Sequence, residues 1–416
     1  MRFTFHDIKD FERKYSNYYP VDQCSCGNLK EMDISQAVFE IGDKQISVYE
    51  CPVLVCKGCG KKQVGHRVIS LIYSTYWDFE NHPGDKSCKL TLNGNGRFEY
   101  AKDANFLYDS RDLNIPGCDV DLDPGHADGF SLPVYFDRKV LNNFYTDEEY
   151  ELDFFSESYG DIARRGSDGW AYEWKIPFGI NENDKVVMFL GDLDQIDDER
   201  SILFLKSYNV PSDHKLIDTE LYQAQMNCTF SNPVIEQRVI RLRKGFYDRI
   251  LSKYNIDLHH LEEEVAEKIK GITKPVVFNE REVSSNIITL DGILNEGIDQ
   301  EGLKSLCNVV GVTKDISQLR TRKLLQEIIA HKEGDDKARD IIAPLFHLND
   351  LRVCFAHLLS AETIQESKDR IIKAYNLTDF SEYRKLYETL LEGNRQIMMR
   401  PDIKLPQPFA SWSNSL

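Results

Sequence analysis

Long apolar runs are missing from this chain of 416 residues. None approaches the roughly 18 residues a membrane-spanning helix needs, so the sequence predicts no transmembrane segment. The N-terminus, MRFTFHDIKDFERKY, is charged throughout and holds no apolar signal core. Cytoplasmic location is the expectation. Internal repeats and low-complexity segments are missing too, so no repeat architecture has to be considered. Positive charge is in short supply. With 51 Lys and Arg against 68 Asp and Glu, the formal net charge is −17, which argues against broad, non-specific nucleic-acid binding. It leaves room for a local basic patch or a small RNA-cleaving site.

What is present is enough to build cores: 41% hydrophobic residues, 11% of all residues being aromatic. The length predicts two or three domains. Ten cysteines at irregular spacings fit a reducing compartment.

Four of those cysteines form a pattern. Cys24-Ser25-Cys26-Gly27 is followed by 28 residues and then by Cys56-Lys57-Gly58-Cys59-Gly60. A pair separated by one or two residues sets two thiolates on one tight turn, and two such turns supply the four soft ligands of a tetrahedral ion. Gly27, Gly58 and Gly60 allow the turns a positive φ. Lys57, Lys61 and Lys62 are expected to offset the thiolate charge. Four unrelated buried cysteines are the plain alternative. A redox CxxC would leave Cys24 and Cys26 without a role. With all four positions filled by protein, the expected site is structural Zn²⁺ on Cys24, Cys26, Cys56 and Cys59. Cys51 is a spare on the strand entering the second pair.

The segment VYECPVLVCKGCG, with the upstream pair, resembles the YgiT-type zinc finger of bacterial antitoxins over residues 20–66. The first pair here is Cys-x-Cys, where Cys-x-x-Cys is the commoner form. The resemblance implies a β-hairpin between the pairs. Ala37–Ile41 and Gln45–Tyr49, alternating about Gly42-Asp43-Lys44, carry that signal. Antitoxins of this type usually continue into a DNA-binding helix-turn-helix. Nothing after Cys59 has that pattern, so only the zinc ligands carry over.

The expected fold class is multidomain α+β. Residues 1–70 are expected to be a β zinc ribbon with a short N-terminal helix, Phe5 to Tyr15. Residues 71–232 are a mixed α/β region opening on 67–85 as a strand or short helix. Short strands are expected at Lys89–Leu92, Phe98–Tyr100, Leu132–Phe136, Tyr150–Phe155, Trp170–Ile176 and Lys185–Leu190. From Pro233 the periodicity turns helical, giving an all-α domain over 233–400 and an extended tail, 401–416. Residues 234–252 form its first helix, carrying a basic stretch at Arg238, Arg241, Arg243 and Lys244. Residues 271–299, with Gly271, Pro275 and Gly297, look like a linker or an irregular connection.

Two carboxylate-rich loops in the middle region, around Asp121, Asp123 and His126 and around Asp192 and Asp194, suit either a divalent ion or a solvated turn. Neither closes as an EF-hand. The contiguous Ser212-Asp213-His214 is not a triad, because a triad is assembled from separate segments.

In the helical domain the stretch His347-Leu348-Asn349-Asp350-Leu351-Arg352-Val353-Cys354-Phe355-Ala356-His357 separates Arg352 from His357 by four residues. It resembles the R-x(4–6)-H motif of HEPN ribonucleases, found in bacterial toxin–antitoxin and anti-phage defence systems. The resemblance implies metal-independent RNA cleavage, with His357 moving a proton at the 2′-OH or the leaving oxygen. Arg352 would stabilise phosphate charge, Asn349 or Asp350 would position one of them, and a homodimer would unite two pairs. The alternative for the same residues is Arg352 paired with a nearby carboxylate and His357 as a half-buried helix residue. At the level of the whole chain the choices are an RNA-cleaving effector, a non-enzymatic zinc-ribbon protein that binds a protein partner through the ribbon or the acidic middle region, and a metal-dependent enzyme built on the acidic loops.

Overall fold

The structure is a computed structural model that describes residues 1–16, 20–82, 84–118, 128–166, 171–356 and 360–399. The predicted tail at 401–416 and Trp170 lie outside the described residues. The chain divides into two compact units, Met1–Asn232 and Pro233–Leu416. The stretches 1–70 and 71–232, distinguished in the sequence, belong to the first of them.

The first unit opens with β1 (Arg2–Phe5) and α1 (Ile8–Tyr15). The expected helix from Phe5 is therefore shorter. Asp7 caps α1 by accepting from the Asp10 amide, and the residues before it pair in parallel with the next strand, Phe5 opposite Ile41. The hairpin follows as β2 (Lys30–Ile41) and β3 (Lys44–Cys56). Its turn is Gly42-Asp43, with Ile41 opposite Lys44 and Gly42 at φ +61°, a left-handed conformation that glycine adopts at no steric cost. Then come β4 (Lys62–Val64), α2 (His66–Asn81) and β5 (Ser87–Thr91). Residues 67–81, left open between strand and helix, are helical. The strands form one sheet in the order β1-β2-β3-β4, with β5 also on β3. Phe5, Phe11, Phe39, Val48, Ile72 and Phe79 are buried together in its core.

A 3-10 turn, Ser110–Asn114, leads to a second sheet. Its elements are β6 (Pro133–Asp137), α3 (Val140–Tyr145), β7 (Tyr150–Phe154), β8 (Tyr159–Arg165), β9 (Tyr172–Ile180), β10 (Lys185–Phe189), α4 (Leu190–Leu193), α5 (Glu199–Tyr208), β11 (Asn209–Val210) and α6 (Glu220–Asn227). The order is β11-β6-β10-β9-β8-β7 and every pairing is antiparallel. Tyr135, Phe136, Phe144, Trp174, Phe178 and Phe189 are buried. Phe98–Tyr100, expected as a strand, is irregular and runs into a turn.

The second unit is built of helices joined by irregular stretches: α7 (Ile235–Tyr254), α8 (Glu262–Lys270), α9 (Glu280–Asp291), α10 (Gln300–Val310), α11 (Thr321–Glu333), α12 (Asp335–Ala356), α13 (Ala361–Tyr375) and α14 (Tyr383–Met399). A π turn, Gly292–Glu296, continues α9. The expected linker at 271–299 is thus corrected. Gly271, Pro275 and Gly297 flank a helix whose Val283, Ile287, Leu290 and Leu294 recur at helical spacing and are all buried in the unit's core. In the basic stretch of α7, Arg241 and Lys244 are exposed and Arg238 is half-buried, but Arg243 is turned inward. Arg243 is 5% exposed and donates to the Gly297 carbonyl at 2.6 Å and to the Tyr247 hydroxyl at 3.1 Å.

Candidate metal centre and helical cleft

Cys24 and Cys26 sit on the loop before β2. Cys56 ends β3, and Cys59 lies on the turn before β4. Because β2 and β3 are paired with Lys30 opposite Cys56, the two loops meet at the same end of the hairpin. The four sulfur atoms all lie within 4.8 Å of one another. Cys24 Sγ is 3.7 Å from Cys59 Sγ, and Cys26 Sγ is 3.4 Å from Cys56 Sγ. Sulfurs bound at about 2.3 Å to a tetrahedral ion stand about 3.8 Å apart, so the set is suited to a metal ion with little rearrangement.

The loops are fixed by their own backbone. The Cys24 amide donates to Asn28 at 2.9 Å, Gly27 to Cys24 at 2.8 Å and Gly60 to Cys56 at 3.0 Å. Gly27 and Gly60 take φ of +86° and +69°, as expected. Gly58 does not; a Cβ there would lie 2.6 Å from Asn28 Cγ and would displace that side chain. The Cys59 amide points at Cys56 Sγ, 3.4 Å away.

The thiols differ in acidity. The Asn28 side-chain and backbone amides hold Cys26 down at about 6. At Cys59 the Lys61 amide favours the thiolate, but the thiols of Cys56, Cys24 and Cys26 outweigh it and push the group up to about 11. Cys51 stands apart in the core, and burial pushes its thiol up to about 12.

Lys57 does not serve the thiolates as expected. Its ammonium lies 2.8 Å from Asp218, 3.0 Å from Glu182 and 3.5 Å from Glu31, tying the knuckle to the second sheet. The cation under the cluster is Lys30, 4% exposed and bonded to the Gln63 side chain at 2.6 Å. Burial pulls its pKa down, while the charges of Cys24 and Cys56 act in the opposite sense.

In the helical unit Arg352 and Asn349, one turn apart on α12, face a cleft of about 660 Å³. The π turn and the start of α11 form its other walls. Arg352 pairs through Nη2 with Glu296 at 2.9 Å and through Nε with Asp291 at 3.5 Å. This is the carboxylate pairing weighed from the sequence. Asp291 is 1% exposed, and burial pushes its carboxyl up. Asn295 donates to it at 2.5 Å, while the Asn295 carbonyl oxygen has no hydrogen-bond partner. Asp350 is directed elsewhere, to Arg370 at 3.6 Å. His357 lies outside the described residues. Asp291, Asn295, Arg320 and Arg322 also line the cleft. Sequence reasoning missed them: they sit 30 to 61 residues before Arg352 and carry no motif.

The remaining candidates separate. Asp121, Asp123 and His126 lie outside the described residues. Asp192 is half-buried on α4, where burial pushes it up to about 6. Asp194 accepts from the Ala101 amide at 2.6 Å. Among the described residues, the cysteine set is the one group of three or more His, Cys, Asp or Glu close enough to share an ion.

Ser212 and His214 do converge, but on Asp112, about a hundred residues upstream. The Ser212 hydroxyl donates to one Asp112 oxygen at 2.7 Å, and His214 Nδ1 lies 2.6 Å from the other. Asp213 turns away to Asn181 at 3.0 Å. A serine that donates to the carboxylate itself is not the hydroxyl a triad presents to Nε2.

No helix among the described residues is long and apolar enough to cross a membrane. No family model, curated protein or solved structure matches this chain.

Proposed function

We propose that the chain is a metal-independent ribonuclease of the HEPN-like kind, acting from the cytoplasm as a bacterial defence or toxin–antitoxin effector, with a structural zinc ion in its N-terminal unit. The observation that carries the ribonuclease reading is the cleft on α12. Arg352 and Asn349, the residues of the R-x4-H resemblance, line it together with further arginines. In this reading a scissile phosphate displaces the exposed Glu296 from Arg352, and buried Asp291 keeps the guanidinium oriented. The RNA 2′-oxygen attacks phosphorus as the bond to the 5′-oxygen breaks. His357 takes the 2′ proton or supplies one to the leaving oxygen, and a homodimer gives one imidazole for each task.

Zinc is the metal proposed for Cys24, Cys26, Cys56 and Cys59, because four thiolates in a tetrahedron suit it and leave no position for a reacting water. One zinc per purified chain by elemental analysis is the expected result.

The test of the reaction is RNA cleavage by the purified protein beside His357→Ala, with circular dichroism showing both folded. Loss of cleavage in the variant, and survival of wild-type cleavage in EDTA at unchanged fold, support the reading. Equal cleavage by both sinks it. A second reading has its own observation. Arg352 is already paired with two carboxylates, which suits a non-enzymatic binding protein, and no cleavage by either chain would favour it.

A further inference from the structure

The start of α11 opens into the same cleft beside Arg352. α11 runs 13 residues, no side chain caps its first turn, and that turn holds no acid. The exposed amides and aligned dipoles of such an end attract anions. Arg322, in this first turn, is half-buried. Its guanidinium lies over the Phe346 ring at 5.4 Å and makes no hydrogen bond or ion pair with any described residue. Arg320, just before it, is also without one. A partly desolvated cation is costly unless a counter-charge meets it.

Asp291 and Asp350 act on Arg322 only through space, and no described acid stands within ion-pair distance of it. Asp291 and Glu296 are engaged with Arg352. Asp299 caps α10, accepting from the Gly302 amide at 2.5 Å, and Glu301 pairs with Lys304 at 2.8 Å. Asn295, 5% exposed, also lines the cleft, with its side-chain oxygen buried and without a hydrogen-bond partner.

We propose that this end of the cleft is a phosphate subsite for a single RNA strand, in which Arg322 and the first amides of α11 hold a backbone phosphate next to the one at Arg352. The cleft volume of about 660 Å³ is within the range of sites that enclose a nucleotide-sized ligand. The inference rests on the RNA reading, but binding and cleavage test them separately.

The experiment is fluorescence anisotropy with a short, end-labelled oligoribonucleotide. The full chain carries His357→Ala so that the strand stays intact, and Arg322→Gln or Arg322→Lys is added to it. Arg322→Gln should weaken binding about tenfold, as loss of a charge-assisted bond does. It should also make the slope of log K against log salt shallower by about 0.7, one phosphate contact on a single strand. Arg322→Lys should restore the slope. Equal affinity and slope for the parent and Arg322→Gln, or no binding by the parent, overturns the subsite. Competition by AMP as strong as that by unlabelled strand reassigns the phosphate to a free nucleotide and overturns it too. Intact Arg322-dependent binding in a chain that never cleaves RNA would sink the ribonuclease and leave the subsite standing. Cleavage without Arg322 dependence would do the reverse.

Discussion

At the scale of single residues, Asp112 carries the sharpest electrostatic consequence. It is wholly buried, 0% exposed, and burial pushes its carboxyl up. Its compensation is local: the Ser212 hydroxyl and His214 each bind one oxygen. Burial works against a charged His214. The bond to Asp112 and its charge outweigh that and hold the imidazole above its ordinary value of 6.5. The backbone of His214 sits at φ +63°, an uncommon conformation for a residue with a Cβ, which the Asp112 contact helps to fix. A histidine whose folded pKa is raised stabilises the fold fully below the unfolded value, and that contribution is lost as pH rises through the folded one. His214→Ala should therefore cost about 3 kcal/mol near pH 6, the range for breaking a buried pair, and clearly less at pH 8.5. Urea midpoints across that interval measure it. A penalty independent of pH would show that the pair is not charged in the fold.

Elements are decided by how they meet. The two cysteine loops belong to one hairpin, so Cys26 and Cys56 are neighbours although 30 residues apart. Cys51, only five residues before Cys56, faces the core. Cys26→Ser should lower bound metal, while Cys51→Ala should leave metal content unchanged and cost about 1 kcal/mol of packing. Elemental analysis after gel filtration separates them, and equal metal loss in both would contradict the assignment of ligands. A second contact fixes α12 against α14. Gly393 lies inside α14 where a Cβ would come 2.6 Å from Pro344 Cγ, and Pro344 lies inside α12. In an exposed helix Gly→Ala stabilises by about 1 kcal/mol. Here overpacking reverses the sign, and Gly393→Ala should destabilise by about 1–3 kcal/mol. Pro344→Ala in the same chain should recover part of that. A Gly393→Ala variant as stable as the parent in urea would show that the helices separate freely.

For the molecule as a whole, the division at Asn232 and Pro233 sets the pattern of unfolding. Each unit has its own buried cluster, Phe39 and Ile72 in the first and Leu290 and Leu345 in the second. Calorimetry should resolve two transitions. Chelation should lower the first unit's transition, because binding energy at the cysteine loops is folding energy, and should leave the helical unit's transition in place. A single transition, or an equal shift of both, would overturn this.

The sequence by itself determined what depends on short spacing. Cys24, Cys26, Cys56 and Cys59 were legible as a ligand set because each pair closes a local turn. The hairpin about Gly42-Asp43 was legible from alternation, and α7 and the all-helical character of the second unit from helical periodicity. Misjudged elements were those whose local cues conflict. Residues 280–291 carry a helical stripe between glycine and proline breakers, and only burial in the second unit's core shows that the stripe prevails. Side-chain partners were out of reach altogether. Lys57 turned from the thiolates to Asp218 and Glu182, Asp112 drew Ser212 and His214 together, and Arg322 came beside Arg352. Each of these was decided by tertiary structure, since electrostatic partners are chosen by distance in space, and distance along the chain does not encode it.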